Sequence, residues 1–122
     1  MNATIIHKSN INSNVLDVLA KELPAIIADV LQVPGGKVAI VRPEQVSLEF
    51  TQASSRDVGS DIRIILFARS NNLRTLTEND RAKAILEKVI ALIAKSGEVC
   101  SVDIRLYLME VGAAEYSLSQ DR

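Results

Sequence analysis

The chain has no tryptophan, one histidine, one cysteine, and only two phenylalanines and two tyrosines in 122 residues. A single thiol, Cys100, excludes an internal disulfide. One His and one Cys fall short of a zinc site unless several carboxylates join them, and no ligand spacing points to one. So few aromatic rings remove the stacking platforms on which single-stranded nucleic acid is held. An excess of charge is missing too. With 14 basic and 15 acidic side chains the net charge is −1 and the isoelectric point about 5.8, which leaves no electrostatic footprint for nucleic acid or an anionic membrane. No apolar run reaches membrane-spanning length, and the first residues do not read as a signal peptide. A cytoplasmic location is the expectation.

What is present is ordinary for a folded domain: 48% hydrophobic and 24% charged residues. The length fits one domain over residues 1–122. Its clearest stretch is 61–111. Asp61–Arg69 is a nearly continuous apolar run and reads as a central strand. Thr77–Ser96 carries Ala82, Ile85, Leu86, Val89, Ile90 and Ile93 at helical spacing, with Arg81 among the residues assigned to the solvent side. Thr75 with Glu78, or Thr77 with Asp80, fits a capping box, and Gly97 suits the position after the helix. Ser101–Val111 alternates as a strand, with Val102, Ile104, Leu106 and Leu108 on one face.

Residues 1–50 repeat this plan loosely. Ala3–Lys8 is a strand. A helix follows from about Asn14 to Gln32, capped by Asn12, Ser13 or Asn14, and kinked at Pro24. Pro34-Gly35-Gly36 makes a turn, Lys37–Arg42 is the next strand, and after Pro43 it resumes at Val46–Phe50. Residues 52–60 read as a mobile polar loop. The result is an α/β (α+β) chain of two tandem βαβ units, about 1–50 and 61–111. Right-handed crossovers then place both helices on one face of a four-stranded mixed sheet. The opposite face collects Arg63, Asp103, Arg105, Ser47 and Glu49 with Ile65, Phe67 and Tyr107. That mixture suits packing against other subunits.

No Ser-His-Asp or paired-carboxylate constellation assembles around a single His, and His7 reads as an ordinary strand residue. Gly35-Gly36 precedes a strand, so it is not a phosphate loop, and no cofactor is implied. Cys100 reads as a small hydrophobe at a strand start.

The layout of Leu31–Phe50, with its Pro43-Glu44-Gln45 step, and the loop and capped helix at Asn72–Ile85 resemble the tautomerase superfamily. The likeness is to its longer members, macrophage migration inhibitory factor and 5-carboxymethyl-2-hydroxymuconate isomerase. The resemblance implies a homotrimer and keto-enol chemistry by an amino-terminal proline, a general base exposed when the initiator methionine is removed. This chain departs from that pattern. Residue 2 is Asn, the prolines are Pro24, Pro34 and Pro43, and Met1 is expected to stay because Asn is bulky for its removal. A family strand arginine aligns with Ala39. What the resemblance leaves is a pocket that would gather Asn2, Lys8, Lys37 and Arg69, with Arg74 nearby, for a small carboxylate. The expectation is a tautomerase-like protein without the usual proline, binding or weakly isomerising a small oxo- or hydroxy-carboxylate. The alternatives are a ferredoxin-like interaction module, with the same element order, and a nucleic-acid-binding variant of it, which the charge and aromatic content oppose.

Overall fold

The structure, a computed structural model, describes residues 1–33 and 41–118. Four strands, β1 (Asn2–His7), β2 (Ser47–Gln52), β3 (Ile62–Arg69) and β4 (Val102–Met109), form one sheet in the order β2-β1-β3-β4. Two long helices, α1 (Ser13–Val30) and α3 (Glu78–Lys95), cover one face, and a short α2 (Asn72–Leu76) precedes α3. β1 runs parallel to β2 and antiparallel to β3, and β3 runs parallel to β4. β1 and β3 would be central in a ferredoxin-like sheet as well. What separates the two folds is that each central strand here is flanked by the second strand of its own unit. The two βαβ units lie side by side, not interleaved.

Alternation along the strands builds the core. Ala3 and Ile5 of β1 and Ile62, Ile64, Leu66 and Ala68 of β3 point to the helices and are buried. Leu19, Leu23 and Ile27 of α1 and Ile85, Val89 and Ile93 of α3 meet them in one cluster. Each fully buried aliphatic side chain contributes roughly 1.5–3 kcal/mol. His7 shares this inner face, 9% exposed, with Nδ1 3.1 Å from the Lys8 carbonyl oxygen.

Several boundaries differ from the sequence expectation. α1 starts one residue early because Asn12 is the cap, its Oδ1 accepting from Asn14 N at 2.8 Å. The helix runs unbroken through Pro24. The expected turn at 34–36 and most of the expected strand 37–42 lie outside the described residues. Val41 and Arg42 are not strand; Pro43–Gln45 is a single 3-10 turn, with Pro at its first position where a missing donor costs nothing. The loop expected before Thr77 contains α2, capped by Asn71 Oδ1 on Arg74 N at 2.8 Å. The expected capping box at Thr77 does not form, because its hydroxyl instead donates to Leu73 O (2.7 Å) and accepts from Arg81 Nε (2.8 Å). The loop after β2 is also tethered. Asp57 pairs with Arg63 on the open sheet face, and Gly59 lies against the same guanidinium.

Candidate functional site

On the face away from the helices, register alone sets out rows of neighbours. Ser47, Asn2, Phe67 and Tyr107 make one row; Glu49, Thr4, Ile65 and Arg105 the next; Thr51, Ile6, Arg63 and Asp103 the third. Arg69 and Met109 stand beyond the first row, at the end of the sheet where β1 begins. Phe67 and Tyr107 stack with ring centroids 5.3 Å apart, yet remain 39% and 48% exposed.

Met1 is pinned at this corner. Its α-ammonium donates to Gln45 O at 3.2 Å, its own carbonyl accepts from Ser47 N at 2.9 Å, and its side chain packs on the core. The 3-10 turn at Pro43–Gln45 presents that carbonyl, and the Gln45 side chain holds the turn by accepting from Arg42 N at 3.0 Å. Arg69 is exposed, and one of its terminal nitrogens donates to Val111 O at 3.1 Å. An α-amine, an amide (Asn2), a guanidinium and an aromatic pair therefore share one corner.

The other expected site residues fall differently. Arg74 is 5% exposed and lies beneath the corner. Its Nε donates to Leu31 O (3.1 Å) and Nη1 to Arg69 O (3.0 Å). Burial, and then the neighbouring Arg81, push its pKa down. Lys8 is not gathered with the others. It stands at the far end of β1, about 20 Å from Asn2 at the rise of a strand, and pairs with Asp61 at 3.9 Å. Antiparallel β1 and β3 put the start of one beside the end of the other, so Asn2 lies opposite Phe67, two residues from Arg69, while Lys8 meets the start of β3. Lys37 lies outside the described residues.

At the Lys8 end, Asp61 Oδ2 accepts from both the backbone N–H (2.9 Å) and the hydroxyl (3.1 Å) of Ser101. These two bonds, ahead of the charge of Lys8, hold its carboxyl below the usual carboxylate range. Burial, with Asp61 and Glu98, pushes the Cys100 thiol up, the reverse of what a nucleophilic thiolate needs. Of two surface hollows, the first shares only Tyr107 with the corner and the second shares none of the corner's residues. The first, of about 310 Å³, separates the first turn of α3 from the outer edge of β4, and the second, of about 380 Å³, separates α1 from α3. Neither is lined by Asn2, Arg69 or Arg74. Among the described residues no three His, Cys, Asp or Glu side chains converge as a metal site would require, and no helix is long and apolar enough to cross a membrane.

Sequence reasoning missed Gln32 and Arg81. Arg81, assigned to solvent, instead turns onto the end of α1, its Nη1 donating to Val30 O (2.6 Å) and Gln32 O (2.9 Å). The available signal was negative: α1 has no basic residue in its last turn, so its free carbonyls had to be met from elsewhere.

Two parallel βαβ units joined through an antiparallel central pair are the tautomerase-like α+β fold. Solved structures of tautomerase superfamily members share it across nearly the whole chain. A wild-type fused 4-OT, a symmetric trimer, is 13% identical, with 93% of this chain and 92% of that chain covered and a TM-score of 0.65. Malonate semialdehyde decarboxylase is 10% identical (100% and 93% covered, TM-score 0.61). Macrophage migration inhibitory factor of Toxoplasma gondii is 16% identical (100% and 98%, TM-score 0.59). At these identities the likeness is one of fold. No family model and no curated protein matches the sequence.

Proposed function

We propose that the corner formed by Met1, Asn2 and Arg69 binds a small oxo- or hydroxy-carboxylate and supports weak keto-enol isomerisation without the usual proline. The observation that carries this reading is the antiparallel register that sets the start of β1, with Met1 and Asn2, at the same end of the sheet as Arg69 in a tautomerase-like fold. Arg69 offers a carboxylate a planar pair of donors. Asn2 offers an amide beside it, and the Phe67–Tyr107 stack offers an apolar floor. In its neutral form the primary amine of Met1 takes the enol O–H proton, and the ammonium so formed delivers it to the carbon, so the substrate is isomerised with no net gain or loss of atoms and the amine is regenerated. The protein acts as a homotrimer that packs its open sheet face against its copies. That face exposes Phe67, Tyr107 and Met109, and the fused 4-OT neighbours are trimers.

The test is ketonisation of the enol of phenylpyruvate, followed by absorbance, with untagged protein whose intact mass shows Met1. Turnover above buffer that disappears when the α-amine is acetylated supports the amine as base. Saturable binding without turnover leaves a carboxylate-binding protein, the second reading, which Asn at residue 2 favours. The absence of both turnover and binding contradicts the proposal.

A further inference from the structure

The C-terminus of α1 is the hub from which both charged groups of the corner are held. Three consecutive carbonyls there, of Val30, Leu31 and Gln32, are taken by two guanidiniums from the segment after β3. Arg81 Nη1 serves Val30 and Gln32, and Arg74 Nε serves Leu31. Thr77 aims Arg81 by accepting from its Nε at 2.8 Å. Planar guanidinium forks suit several fixed carbonyls at once, and the partial negative charge of a helix C-terminus favours them.

From this hub two chains of hydrogen bonds run to the corner. In the first, Arg74 Nη1 donates to Arg69 O at 3.0 Å, fixing the backbone that carries the exposed cation. In the second, the Gln32 amide grips Val41 at two points, donating to its carbonyl at 2.5 Å and accepting from its N–H at 3.4 Å. The next residue, Arg42, donates its N–H to Gln45 Oε1 at 3.0 Å, and Gln45 O accepts from the Met1 ammonium at 3.2 Å. Placing a buried cation beside a half-buried one is costly unless their donors are used well, and here they are spent on the end of α1, on Thr77 and on the Arg69 carbonyl.

We infer that Gln32, Arg74 and Arg81 are positioning residues: they touch no ligand, and they set where the Met1 amine and the Arg69 guanidinium stand. The inference rests on reading Met1 and Arg69 as the ligand site, but its test does not need a ligand. The rate of acetylation of the Met1 α-amine by an N-hydroxysuccinimide ester at neutral pH is read by peptide mapping, relative to the exposed Lys21. Losing the grip on Val41 frees the turn that holds the ammonium, so Gln32→Leu and Arg81→Gln raise this rate about fivefold, the worth of one such hydrogen bond. Lys88→Ala removes an ion pair to Asp29 (3.3 Å) across the same two helices without touching either chain, and leaves the rate unchanged. On the other branch, Arg74→Gln raises modification of Arg69 by phenylglyoxal. If Gln32→Leu does not fold, Gln32→Glu keeps the length and the acceptor for Val41 N–H while losing the donor. Unchanged rates in the Gln32 and Arg81 variants, or an equal rise in Lys88→Ala, overturn the inference. A wild-type protein that binds no phenylpyruvate overturns the functional reading instead, and leaves the amine rates to decide positioning.

Discussion

Asp61 ties the start of β3 to the start of β4 through both donors of Ser101. Its carboxyl is held below the ordinary value in the folded protein, so the clasp contributes stability above the unfolded-state pKa. That contribution is lost as pH falls through the folded-state value. Ser101→Ala is expected to raise the Asp61 midpoint, followed by carboxyl-carbon NMR, toward that of an unperturbed aspartate. An unchanged midpoint means that the Ser101 hydroxyl plays no part. At Cys100 the raised thiol pKa predicts alkylation by iodoacetamide at neutral pH slower than that of a free cysteine. Single residues were legible in the sequence where strand alternation governed them. Phe67, Arg63 and Tyr107 stand on the open face as their positions imply. Arg74 and Arg81 were not legible as structural donors. Their partners at the end of α1 are carbonyls 43 to 51 positions earlier, and only tertiary packing brings those within reach. Lys8 was assigned to the wrong end for a related reason, since strand direction is a property of the pairing and not of the strand.

The elements themselves were mostly readable, because burial repeats at a fixed period in each. The apolar stripes of α1 and α3 contain their buried residues, although Ile90, expected in the buried stripe of α3, stands exposed at its border, and the alternation of β4 predicts its inner face. What escaped were short pieces stabilised by particular side chains: α2, capped by Asn71, and the 3-10 turn braced by Gln45. Leu23 is fully buried between α1 and the sheet. Leu23→Ala is therefore expected to cost about 2–5 kcal/mol in chemical denaturation. Arg81→Gln removes charged donors from two α1 carbonyls and is expected to cost about 2 kcal/mol. A loss within error for either would mean that the helix layer is held elsewhere.

For the whole molecule, tandem βαβ order was visible early, whereas the sheet order that separates two folds with the same element sequence was settled by pairing. The open face is divided. Its Arg63 is met by the molecule's own loop at Asp57–Gly59, and the exposed apolar side chains gather toward the corner, at Phe67, Tyr107 and Met109. Self-association through this half of the face predicts that Phe67→Glu shifts the sedimentation mass from that of a trimer to that of a monomer. A wild-type protein that sediments as a monomer contradicts that assembly.

The most direct test of the proposed site is a titration of the isotope-labelled protein with phenylpyruvate, following backbone amide shifts. The corner reading predicts saturable shifts at Asn2, Phe67 and Arg69, abolished in Arg69→Ala. Shifts centred on Lys8 and Asp61, or none at all, would contradict it.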